Sequence, residues 1–79
     1  MKLPEIKRLA QSHTLEQLKK AEQALYEEQV PEIEINGEDE GEKLTHILAA
    51  QDIVQNLEKG LSFNEAVRAY SQRVRNSIS

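Results

Sequence analysis

The junction Gly60-Leu61-Ser62 constrains the chain more than any other stretch, because signals for ending and starting a helix coincide there. Ser62-Phe63-Asn64-Glu65 fits the capping box S-x-x-E. In that motif the Ser62 hydroxyl accepts from the Glu65 amide, and the Glu65 carboxylate reaches back to the Ser62 amide. Leu61 stands where a hydrophobic staple onto Ala66 fixes the entry of the chain. Gly60 suits the positive φ that closes a preceding helix. Gly60, Ser62 and Glu65 are therefore read as a structural cap joining two helices into a hairpin.

After the junction, Phe63, Ala66, Val67, Tyr70, Val74 and Ile78 fall on one narrow face at ~100° per residue, with Arg68, Gln72 and Arg75 opposite. Before it, Leu44, Ile47 and Leu48 define one direction. Ala50, Ile53, Val54 and Leu57 point about a third of a turn away. A stripe so wide predicts more than one packing partner and puts residues 42–59 at the centre of the fold. It also suggests more apolar surface than a chain this small covers, so Leu44, Ile47, Leu48, Ile53, Val54 and Leu57 are read as an interaction surface.

Upstream, Pro4 and Glu5 suit a first helical turn, and Leu3, Ile6, Leu9 and Ala10 give that short helix an apolar face. Ser12-His13-Thr14 interrupts it, and Thr14-Leu15-Glu16-Gln17 is a second capping box. The helix that follows has the modest face Leu15, Leu18, Ala21 and Leu25, predicted to lie on the outside of the bundle. Val30-Pro31 is read as its end, because a residue before proline avoids the α region. Glu32-Ile33-Glu34-Ile35 alternates like a half-buried strand. It is either an extended linker laid on the bundle or a strand pairing with its copy in a second molecule. Asn36-Gly37 marks a turn, and Glu38-Asp39-Glu40 suits the start of the central helix. The expected architecture is all-α, a single helical domain over residues 1–79. Its helices span about 4–11, 15–29, 42–59 and 63–77, with an acidic linker over 30–40.

The 79 residues carry a net charge of −4 and no cysteine, which excludes disulfides and thiolate chemistry. No apolar run is long enough to span a membrane, and the first residues do not read as a signal peptide, so a cytoplasmic location is expected. Charge is segregated: residues 32–42 hold six acidic and no basic side chains, whereas Arg68, Arg73 and Arg75 face no acid over 66–79. Arg73, at the edge of the apolar stripe, is predicted to pair with the Glu38-Asp39-Glu40 segment of the same or a partner chain.

No motif for nucleophilic catalysis or phosphate binding is present. Asn36 to Gly41 resembles the opening of a calcium loop, but the twelfth position, which requires a bidentate Glu, is Ile47. His13 and His46 lack converging partners in sequence, so structural or solvent roles are expected. No catalytic, metal or cofactor-binding residue and no cofactor is assigned, and the chain is not expected to be an enzyme. Two helices around a short turn also evoke a DNA-reading unit offering Asn64, Arg68, Gln72 and Arg75. The length of the first helix, Glu65 and the acidic balance oppose it.

Met1-Lys2-Leu3-Pro4-Glu5-Ile6-Lys7, Glu58-Lys59-Gly60-Leu61-Ser62, Glu65-Ala66-Val67, Arg73-Val74 and Ser77-Ile78 carry a further observation. These segments resemble a small uncharacterised family of bacterial proteins, a domain of unknown function. The stretch from about Ser12 to Thr45 departs from that pattern. The resemblance implies small size, a helical fold and bacterial origin; it brings no activity and no site residues. The expected function is a non-enzymatic protein–protein interaction module or accessory subunit, self-associating as a homodimer or binding an unidentified protein. The alternative is a helix-turn-helix-type nucleic-acid-binding regulator.

Overall fold

Short side-chain devices set the helix ends. The computed structural model describes the backbone of residues 2–78 and the side chains of residues 2–75. Met1 lies outside the described residues, and the expected place of Ile78 on the apolar face lies outside the described side chains. The described residues form four helices: α1 (Leu3–Ser12), α2 (Leu15–Tyr26), α3 (Glu40–Glu58) and α4 (Phe63–Ile78). The all-α expectation is borne out, and there is no strand among the described residues.

Pro4 sits in the first turn of α1, and His13 ends that helix by turning extended at φ −133°. At Thr14 the capping box is complete: the Thr14 hydroxyl accepts from the Gln17 N–H at 3.2 Å, and Gln17 Oε1 accepts from the Thr14 N–H at 2.9 Å. The Ser62 box is complete too, with the Glu65 N–H on Ser62 Oγ and the Ser62 N–H on Glu65 Oε1, both at 3.2 Å. Hydrogen bonds from Ser62 hold the Glu65 carboxyl below the usual carboxylate range. Gly60 takes φ +102°. Its N–H reaches Leu57 O at 3.1 Å, and the Leu61 N–H reaches Asn56 O at 3.2 Å, which satisfies the last carbonyls of α3. Replacing Ser62 by Ala removes one acceptor from the start of α4 and should cost ~1 kcal/mol in urea melts. A melt indistinguishable from wild type would show that the cap is idle.

α2 stops at Tyr26 instead of running to about Gln29. The cause is Glu28, which adopts φ +57°. The Glu28 N–H bonds Leu25 O at 3.2 Å and the Gln29 N–H bonds Ala24 O at 2.8 Å, the same terminating pattern that Gly60 gives α3. A residue with a Cβ is strained in that region. Glu28→Gly should therefore raise stability by ~0.5–1 kcal/mol, less whatever the unfolded glycine gains in freedom. A lower midpoint in thermal or urea melts would contradict this account of the turn.

Residues 27–39 then cross the bundle without regular structure, with Ile35 buried and Ile33 packed against the core. Within one chain the segment is thus an extended linker laid on the bundle. Gly37 passes so close to α3 that a Cβ there would stand 2.9 Å from Lys43 Cγ and 3.1 Å from the Lys43 amide nitrogen. Asp39 starts α3 by accepting from the Glu42 N–H at 2.7 Å.

α3 is the axis on which α1, α2 and α4 each pack. One core joins Ile6, Leu9 and Ala10 of α1, Leu18 and Ala21 of α2, Ile47, Ala50 and Ile53 of α3, and Ala66 of α4. Gln51 adds a polar tie from α3 to α2, donating to Glu22 Oε1 at 2.9 Å and Leu18 O at 3.4 Å. The wide stripe of α3 thus serves packing partners within the chain.

Candidate functional site

That packing corrects the interaction surface expected from sequence. Ile47 and Ile53 are fully buried and Val54 nearly so, all three in the core of the monomer. They are part of the cluster shared with α1, α2 and α4, and are covered in the folded chain. Leu57 is partly buried against the same core, and Leu44 is half-buried. Only Leu48 stands out in solvent, at 43 % exposure.

Leu48 belongs to a groove between α3 and α4. Its volume is ≈ 590 Å³, and its walls include Thr45, Leu48, Asp52 and Gln55 from α3 and Tyr70, Arg73 and Val74 from α4. The groove exists because α4 rests on α3 alone among the major helix contacts, so its far half meets one neighbour instead of two. Burial pushes the Tyr70 hydroxyl's pKa up, and the negative charge of Asp52 adds to that effect. Arg73 pairs with Asp52 across this face, and not with Glu38, Asp39 or Glu40. The hairpin at Gly60 dictates this choice: folding back places the later part of α4 beside the middle of α3, short of its N-terminus. Arg68 and Arg75 are exposed.

A second polar arrangement ties the ends of the fold together. Glu5, only 7 % exposed, accepts from Arg8 Nε at 2.8 Å and Nη2 at 2.7 Å, a bidentate pair. It accepts also from the Asn36 N–H at 2.9 Å and Asn36 Nδ2 at 3.1 Å. Arg8 Nη2 donates in addition to Glu34 O at 2.7 Å. The Arg8 guanidinium, helped by the Asn36 donors, overcomes burial and holds the Glu5 carboxyl at about 2. Glu5 in turn raises the pKa of Arg8.

His46, fully buried, continues the chain of bonds: Nδ1 lies 2.9 Å from Asn36 O, and Nε2 accepts from the Lys2 N–H at 3.0 Å. A carbonyl only accepts and an amide only donates, so the ring is the neutral tautomer with its proton on Nδ1. His46 is a latch between the N-terminus, the crossing segment and α3. His13 stands apart from it, closing α1, with its Nε2 buried and without a hydrogen-bond partner among the described residues. No cluster of three or more His, Asp or Glu side chains suited to a metal occurs among the described residues. Among the described residues, no helix is long and apolar enough to cross a membrane.

These features define a small all-α domain organised on one central helix, with a polar clasp around Glu5 and His46 and an open groove between α3 and α4. The chain belongs to a family of unknown function (DUF6952), whose model matches residues 1–79. The resemblance to an uncharacterised family is thereby borne out. Comparison with curated proteins and with solved structures gave no match in either set.

Proposed function

We propose that the protein is a non-enzymatic interaction module that self-associates through the α3/α4 face and acts in the bacterial cytoplasm. The observation that carries this reading is the exposure of Leu48 beside the groove bordered by Tyr70 and Val74. An exposed apolar side chain of α3, beside half-buried Tyr70 and Val74 of α4, is surface that association would dry. Sedimentation velocity over a concentration series should show a dimer at micromolar protein. Leu48→Glu should shift that equilibrium to monomer by at least tenfold while leaving the melting midpoint of dilute protein within error. A 9.0 kDa monomer at every concentration would overturn the reading.

The rival, a nucleic-acid-binding regulator, has less support. Arg73, though exposed, is offset by Asp52, which leaves Arg68 and Arg75 to carry a basic face of α4 on a chain of net charge −4. A salt-dependent shift of duplex DNA at modest protein concentration would favour the rival.

A further inference from the structure

We propose that Asp52 and Arg73 are the polar centre of the self-association face, each Asp52 carboxylate binding its own Arg73 and the Arg73 of a second copy. The result is a closed ring of two carboxylates and two guanidiniums on a two-fold axis. This deepens the self-association reading and rests on it.

The ion pair is unfinished within one chain. Arg73 Nη1 donates to Asp52 Oδ1, whereas Asp52 Oδ2 is covered and has no hydrogen-bond partner among the described residues. An ionised carboxylate has about four acceptor sites and a guanidinium five N–H donors, so each group of this pair retains capacity. The remaining donors of Arg73 meet no partner among the described residues, and its side chain is 71 % exposed. The Asp52 side chain keeps 19 % exposure. A half-turn about χ2 only exchanges the two oxygens, so the acceptor this side chain offers outward is the remaining lone pair of Oδ1, beside Arg73.

A lone pair with one spare acceptor and spare donors is complementary to itself turned through 180°, the relation a two-fold dimer imposes. A partner of single charge sign would satisfy only one side of it. A second copy carries both halves at the matching spacing. Leu48 lies one helical turn from Asp52, so apolar burial would surround the ring and strengthen its charged bonds by excluding water.

Charge segregation tests the ring. The Asp52→Arg chain has a wholly positive face and the Arg73→Asp chain a wholly negative one. Each alone should dimerise at least tenfold more weakly than wild type, and an equimolar mixture should recover near-wild-type association as a heterodimer. The single chain carrying both D52R and R73D should recover it as well. Mixing without recovery, where wild type dimerises, would overturn the ring and leave self-association by apolar contact standing. A wild type that stays monomeric would overturn both. Thermal melts establish that each variant is folded. Should Asp52→Arg fail to fold, Asp52→Asn replaces it: the dimer should weaken and its dissociation constant lose most of its salt dependence. An unchanged constant and salt slope would refute the proposal.

Discussion

Glu5→Gln should remove ~3 kcal/mol of stability, a large share of the roughly 4–12 kcal/mol expected of a domain this size. Gln nearly preserves the shape of the side chain and replaces one acceptor oxygen by an NH₂ group. That group would face the Arg8 and Asn36 donors that now converge on the carboxylate. The lowered pKa of Glu5 acts in the same direction. A carboxyl whose ordinary value is 4.5, held at about 2, favours the folded state by about 3 kcal/mol when ionised. Because the folded value is the lower one, this contribution is complete above pH 4.5. It is lost as pH falls from there through about 2. Urea melts from pH 7 down to pH 2 should therefore show the wild type losing its advantage over Glu5→Gln as acid is added. Parallel stability curves for the two proteins would mean that the clasp contributes nothing specific.

The clasp was illegible in sequence because its members are remote from one another. Asn36 bonds Glu5 across 31 positions and His46 bonds the Lys2 amide across 44. Glu5 read as a helix-dipole residue and Asn36 as half of a turn, both locally sound assignments that say nothing of a shared bond. The capping boxes at Thr14 and Ser62 were legible because every group in them lies within four residues. The end of α2 was local as well, yet it was missed: its signal is positive φ at a glutamate, a residue type that seldom adopts it. The partner of Arg73 lay between these extremes. An acidic partner followed from charge and face, but which acid depended on how far α4 runs back along α3 from Gly60.

Apolar periodicity reveals that α3 is surrounded without revealing by what, and a pair of substitutions separates the two possibilities. Ile53→Ala should cost about 2–5 kcal/mol, because a fully buried side chain is truncated where α3 packs on its neighbours. Against a total of roughly 4–12 kcal/mol the variant should be largely unfolded at 37 °C or melt far below wild type. Leu48→Ala, on the same helix, removes an equally large side chain that is 43 % exposed. It should change stability at low concentration by no more than ~0.5 kcal/mol. Its effect should appear as weaker association in sedimentation. The stripe read from sequence as one interaction surface thus divides in two: Ile47, Ile53 and Val54 hold the monomer, and Leu48 faces outward. If the stripe were a partner surface throughout, both variants would keep the monomer's stability and both would weaken the dimer. Melts at low and high protein concentration, run beside sedimentation, distinguish the cases: a concentration-independent collapse for Ile53→Ala supports the division, and a near-native monomer of that variant refutes it.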